Sequence, residues 1–171
     1  MLAFLKVLQP KTVEEAYEMA VKNKTAPMLA GGCWLRLGRR TWPAGGAVVR
    51  GIKEILGVQF RNMATMGGSV ASKFGFSDII PALLAVHADI VTYKGGRMSM
   101  KDYMNYRERD ILVEIRIPKR EVPVAVEALR ISRGDFPYLT GSIRRDDTNY
   151  EIYIGTRPGA PQLAEKASAL L

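Results

Sequence analysis

The apolar and polar positions of the first forty residues alternate between two periods. AFLKVLQP, residues 3–10, is a short apolar run that stops at a proline and predicts a strand. Thr12 followed by Glu15 is a capping-box pair, and the segment behind it, TVEEAYEMAVKN, puts Val13, Ala16, Tyr17, Ala20 and Val21 on one helical face. APMLAGG then reads as a short buried strand running into a glycine turn, so the chain opens as a β-α-β unit.

Periodicity weakens through WLRLGRRTWPAGGAVVRG, and GIKEILGVQ predicts one short helix. QFRNMATMGGSVASKFGFSD, residues 59–78, is crowded with small side chains and reads as a loop. A helix is expected from about Asp78 to Val86, with Asp78 at or near its N-cap and Pro81 in its first turn, where a missing N–H costs little. ADIVTY, the turn KGG and RMSM predict a strand pair, followed by KDYMNY as a short helix or loop. DILVEIRIP alternates as a strand up to Pro118, VAVEALRISR reads as another, and PYLTGSIRR-DDTN-YEIYIGTRP is a hairpin. PQLAEKASALL begins a helix. Composition changes near KREVP, residues 119–123. The reading is α+β: a βαβ unit over 1–50, a mixed α/β unit over 51–120, and an antiparallel unit with a terminal helix over 121–171.

Composition narrows the chemistry. The chain has 171 residues, 47% of them hydrophobic and 25% charged, with no apolar run of membrane length. Its first residues lack the layout of a secretory signal, which makes the cytoplasm the expected location. Cys33 is the single cysteine, which excludes an internal disulfide and a cysteine-built zinc cage or iron–sulfur cluster. His87 is the single histidine and lies within LLAVHADIV, as a packed or rim residue would. The net charge of +8 suits an anionic partner, but the basic residues are scattered and not interleaved with aromatics, so no nucleic-acid face is expected.

Two glycine turns stand out. Leu29-Ala30-Gly31-Gly32-Cys33 and Ala64-Thr65-Met66-Gly67-Gly68-Ser69 match neither the dinucleotide fingerprint GxGxxG nor the phosphate loop GxxxxGK[ST]. Glycines serve a tight turn, or they let a ligand reach the main chain, where successive N–H groups form an anion-binding hollow. Two such turns facing each other would hold a diphosphate. Thr65, Ser69 and Ser72 would add hydroxyls without filling the space, and Asp78 would accept hydrogen bonds from sugar or ribityl hydroxyls. Phe74 and Phe76 would shield such a ligand or fill the core.

The segment RNMATMGGSVASKFGFSDIIPALLA resembles the FAD-binding (medium) subunit of molybdenum hydroxylases, the xanthine dehydrogenase and carbon monoxide dehydrogenase type. The match rests on Arg61, Asn62, Ala64, Thr65, Gly67, Gly68, Ser77 and Asp78, with LAGGCWL upstream, RDILVEIRIP downstream and ISRGDFPYLTGSI opening a C-terminal domain. The resemblance implies the PCMH, or molybdopterin-dehydrogenase, type of fold and a cofactor, FAD. It implies that Leu29, Ala30, Gly31, Gly32, Cys33 and Trp34 line the diphosphate on one side and Ala64, Thr65, Gly67, Gly68, Ser69 and Ser72 on the other. Asp78 would hold the polar flavin tail and Leu112 would pack on the isoalloxazine. Implied partners are a molybdenum-cofactor-binding large subunit and a 2Fe-2S subunit, with NAD+ or another acceptor; no nucleic acid or membrane is implied, and a homo-oligomer is compatible. Cys33 stands where the family has Thr, and Ser69 where it has Asn. The stretch TWPAGGAVVRG is too short for the strand, further β-segment and helix that the family places there, which marks the chain as shortened. The alternative reading is a docking subunit of the same fold that has lost FAD.

Overall fold

The computed structural model describes residues 8–24, 45–55, 64–119, 122–132, 135–156 and 159–171. Helix α1 (Val13–Lys22) begins as expected: Thr12 Oγ1 accepts from the Glu15 N–H at 3.1 Å, and Glu15 Oε2 accepts from the Lys11 N–H at 2.7 Å. Of its predicted apolar face only Ala20 is buried, while Tyr17 lies against Tyr93 with ring centroids 5.3 Å apart. The strands predicted on either side of α1 lie largely outside the described residues.

Helix α2 runs over Gly45–Glu54, starting earlier than the helix expected from GIKEILGVQ. The glycines hid an apolar stripe: Ala47, Val48 and Gly51 are buried, with Ile52 and Ile55 packed on the same core. The small-residue segment is also not wholly loop. It contains α3 (Met66–Ala71), whose N-cap Thr65 accepts from the Gly68 N–H at 2.9 Å.

Helix α4 (Ile80–Ala85) is buried on every side, as an all-apolar hexamer requires. Ser77, rather than Asp78, meets its first N–H groups: Ser77 Oγ accepts from Ile79 at 3.4 Å and Ile80 at 3.3 Å. At the other end the Ala88 N–H bonds to the Leu83 carbonyl and the His87 N–H to the Leu84 carbonyl, both at 3.0 Å, with His87 at φ 52°. This is a Schellman stop with histidine in the position usually given to glycine. The His87 side chain is exposed and its Nε2 lies 2.6 Å from Glu151 Oε2, so it is a rim residue.

Two antiparallel sheets flank this helix. Strands β1 (Asp89–Thr92), β2 (Gly96–Ser99) and β3 (Leu112–Arg116) form the first, in the order β2-β1-β3. Helix α5 (Met100–Asn105) follows β2, capped by Ser99 Oγ accepting from Asp102 N at 3.0 Å. The second sheet has the order β4-β5-β6-β7, from Val124–Leu129, Leu139–Asp146, Asn149–Thr156 and Gln162–Leu163. Its central hairpin pairs Leu139 with Thr156 through to Asp146 with Asn149, turning at Asp147 with φ 54°. The terminal helix predicted from Pro161 is instead the two-residue β7 followed by the short α6 (Glu165–Ser168).

Helix α4 packs on α2, on α5 and on β4, β5 and β6, so one cluster joins Val48, Val70, Leu83, Ile90, Met100, Val126 and Tyr153. Polar groups on β5 serve the helix ends: Ser142 Oγ donates to the Pro81 carbonyl at 2.6 Å, and Arg144 Nη1 donates to the Ala85 carbonyl at 3.3 Å. The second sheet thus fixes both ends of the helix that follows the small-residue segment.

Candidate functional site

The second glycine turn is the first turn of α3. Thr65 is extended at φ −111° and half-buried, Met66 points into the core, and Gly67, Gly68 and Ser69 are half-exposed. A Cβ placed on Gly67 would meet nothing within 4 Å. Among the described residues no packing contact therefore requires glycine there, and the space beside it leaves the main chain approachable. Ser72 Oγ donates to the Ser69 carbonyl at 3.0 Å, closing the helix from its far end. The turn has small, half-exposed side chains and no acidic residue at its start; the Gly68 and Ser69 N–H groups are taken by Thr65, and the Gly67 main chain is the part left for an anionic ligand to approach.

Helix α3 packs against β3, the strand that carries the half-buried Leu112. Two charged groups brace the surrounding segments. Lys73, at φ 52° just after the helix, donates from Nζ to the Tyr106 carbonyl and lies 4.2 Å from the Tyr103 ring centroid. Burial, followed by the nearby Arg107 charge, lowers its pKa from the usual lysine value. Asp110 accepts from the main-chain N–H groups of Gly95 at 2.9 Å and Ile111 at 2.8 Å, which pins the entry to β3. Burial alone would raise the Asp110 pKa, but the N–H groups of Gly95, Ile111 and Lys94, with the Thr92 hydroxyl, outweigh it and lower the value.

The segment from Lys73 to Asp78 leads from α3 to α4. Phe74 stacks on Phe76 at 4.8 Å with 12° between planes, and Phe76 meets Phe136 at 4.8 Å and 53°. Phe74 is 54% and Phe136 62% exposed, so these rings form a surface cluster and do not fill the core. Gly75 lies tight on the end of β6: a Cβ there would fall 2.1 Å from the Thr156 carbonyl oxygen. Asp78 is held from two directions. Its carboxylate Oδ1 pairs with Arg130 Nη2, the two side chains being only 11% and 9% exposed. Its carbonyl oxygen would lie 2.4 Å from a Cβ on Gly51, so α2 can approach this closely only with glycine.

Ala64, Thr65, Gly67, Gly68 and Ser69 stand at the start of α3 and Ser72 at its far end, with Leu112 on the adjoining strand and Asp78 at the end of the connection to α4. Leu29, Ala30, Gly31, Gly32, Cys33 and Trp34 lie outside the described residues. Lys73, Asp110, Arg130 and Phe136 were not singled out by sequence reasoning. Only the unusual small-to-basic step Ser72-Lys73 offered a local signal, and the Asp78–Arg130 pair spans 52 residues. Among the described residues no group of His, Cys, Asp and Glu is placed to hold a metal ion.

The comparison with protein families bears on this segment. Residues 44–120 match the family described as the FAD binding domain in molybdopterin dehydrogenase. This segment belongs to that family. Its cofactor is FAD, and α2, α3, α4 and the first sheet all fall within it. The chain is 28% identical over 123 residues to the uncharacterised protein YgfM of Escherichia coli strain K12, an alignment covering 70% of this chain and 46% of YgfM. The fold matches quinoline 2-oxidoreductase from Pseudomonas putida 86 with a TM-score of 0.68 at 15% identity, covering 84% of this chain and 59% of that one. It also matches carbon monoxide dehydrogenase from Hydrogenophaga pseudoflava, described as lacking the Mo-pyranopterin moiety of the molybdenum cofactor. There the TM-score is 0.60 at 25% identity, covering 70% of this chain and 47% of the other. The chain thus spans about half the length of the proteins it resembles. No described helix is long and apolar enough to cross a membrane.

Proposed function

We propose that the chain is the FAD-binding electron-transfer subunit of a molybdenum hydroxylase, passing electrons from iron–sulfur clusters on a partner to NAD+ or another acceptor. The observation that carries the reading is the open space beside Gly67 on a capped, small-residue turn, within the segment that matches the FAD-binding family. The carbon monoxide dehydrogenase match, named for its molybdenum cofactor, supports a large molybdenum subunit as partner. The single cysteine supports a separate 2Fe-2S subunit, because this chain cannot ligate a cluster alone.

FAD, when bound, supplies the redox chemistry. The chain's own residues bind, orient and shield. Thr65 fixes the turn by capping α3, so that the main chain at Gly67 and the hydroxyl of Ser69 serve the diphosphate. Residues Leu29 to Trp34 serve its other side. Leu112 and the ring cluster around Phe74 and Phe76 give apolar walls for the isoalloxazine, and the Asp78 carboxylate accepts from hydroxyls of the flavin tail. No step asks this chain for a general acid or base.

The test is the visible spectrum of purified, desalted protein before and after addition of FAD. Bands at about 370 and 450 nm that co-elute with the chain are the expected result. A folded protein that stays colourless after FAD is added refutes the reading in favour of the non-flavin docking subunit.

A further inference from the structure

The family match ends at residue 120, yet the group that orients the most distinctive candidate ligand lies beyond it. Arg130 stands just after β4, at the base of the tip that joins β4 to β5. The Leu129 carbonyl accepts from the Tyr138 N–H at 2.8 Å, closing that tip. Arg130 Nη1 donates to the Asp135 carbonyl at 2.6 Å across it. Its other terminal nitrogen, Nη2, pairs with Asp78 Oδ1, both side chains being nearly buried. Phe136 of the same tip meets Phe76 at 4.8 Å, a second contact between the tip and the 73–78 segment. From the opposite side Gly51 presses on the Asp78 main chain. The carboxylate is thus set by a planar guanidinium that is itself anchored by a second hydrogen bond, which removes most of its rotational freedom.

We propose that Arg130 is a positioning residue of the flavin site: it holds the Asp78 carboxylate for the flavin tail and makes FAD binding depend on the β4–β5 tip. The inference rests on the FAD reading given above. Coupling of this kind is reciprocal, so bound FAD must in turn hold the tip in place. A purely structural ion pair would stabilise the fold without passing through Asp78 to the ligand.

The experiment is FAD titration of the full chain, followed by flavin fluorescence, for wild type, Arg130→Met, Arg130→Lys, Asp78→Asn and the double variant Asp78→Asn/Arg130→Met. Circular dichroism checks that each is folded at the titration temperature. Arg130→Met is expected to weaken FAD binding at least about tenfold, as loss of a charge-assisted contact at a ligating group should. Arg130→Lys keeps the charge but not the fork and recovers part of the affinity. The double variant binds no more weakly than Asp78→Asn alone, because both changes act through one carboxylate. FAD slows amide exchange of residues 129–138 in wild type and does not in Arg130→Met. If Arg130→Lys and Arg130→Met bind FAD as wild type does, or if the two single losses add in the double variant, the inference is overturned while the FAD reading stands. A wild-type chain that takes up no FAD overturns both. Should Arg130→Met fail to fold, Arg130→Lys and Asp78→Asn give the same comparison with smaller disturbance.

Discussion

Replacing Gly51 by alanine tests whether the contact between α2 and the Asp78 main chain is as close as described. Judged by helix propensity alone, Gly51→Ala should stabilise α2 by about 1 kcal/mol. The packing predicts the opposite. The added Cβ would sit 2.4 Å from the Asp78 carbonyl oxygen, 3.3 Å from the Asp78 carbonyl carbon and 3.5 Å from Ile79 Cα. To restore a 3.0 Å contact the two backbones must separate by 3.0 − 2.4 = 0.6 Å. The obstacle is backbone that leads directly into α4, which is buried on every side and packed on β4, β5 and β6 as well as on α2. Overpacking of this kind costs about 1–3 kcal/mol, and rigid backbone puts it at the upper end. Subtracting the propensity gain leaves a net loss of about 2 kcal/mol. Gly46→Ala, in the same helix, has nothing within 4 Å and should be neutral or gain about 0.5 kcal/mol. With a urea m-value of about 2 kcal/mol/M, the two variants should differ by roughly 1 M in unfolding midpoint, on opposite sides of wild type. A midpoint for Gly51→Ala at or above wild type would refute the close approach, and with it the account of how Asp78 is seated.

Gly67→Ala should leave the urea midpoint unchanged or slightly raised, since its Cβ meets nothing within 4 Å, while weakening FAD binding at least about tenfold; equal affinity in a fluorescence titration would remove Gly67 from the site. Ser142→Ala deletes the 2.6 Å bond to the Pro81 carbonyl inside the core and should cost about 1–2 kcal/mol in the same unfolding assay, a loss that Ser142→Thr cannot be assumed to spare. Burial first, and the Glu151 charge second, push the Tyr153 hydroxyl from 10.0 up to about 12. The folded state holds this proton more tightly than the unfolded one, so its contribution is complete below pH 10 and is lost as pH rises towards about 12. Alkaline unfolding should therefore be flatter for Tyr153→Phe than for wild type across that interval, and identical profiles would contradict the assignment.

The elements that were legible in the sequence are those whose periodicity is local and uninterrupted. The capping pair Thr12–Glu15, the strands of the first sheet and the hairpin around Asp147 all follow from neighbours in the chain. Two of the failures share one cause. Glycine carries almost no hydrophobic signal, so the periodicity through Ala47 and Val48 looked weak and the helix was expected to start only at Gly51, and Gly67-Gly68 concealed the first turn of α3. In both places glycine costs helix stability, and the fold compensates with a cap at Thr65 and with tight packing at Gly51. Asp78 was expected at or near the α4 N-cap and lies one residue before it, but Ser77, an equally good acceptor in sequence, meets the first N–H groups. Only the Arg130 pair, 52 residues away, shows which of the two was left for another task.

That division between Ser77 and Asp78 also explains why a segment of family-matched sequence needs the rest of the chain. A carboxylate in a nearly closed setting is costly unless a cation compensates it, and Arg130, which pairs with Asp78, comes from beyond residues 44–120. The same connection is pressed by Thr156 at Gly75 and by Phe136 at Phe76. Each of these contacts comes from the second sheet or the tip joining β4 to β5, and each acts on residues 73–78. The geometry of the candidate ligands thus depends on the second sheet, packed on α4 and on the connection before it. A fragment ending at Pro118 would keep every described candidate ligand and lose the contacts that hold Asp78, so it should bind FAD more weakly than the full chain.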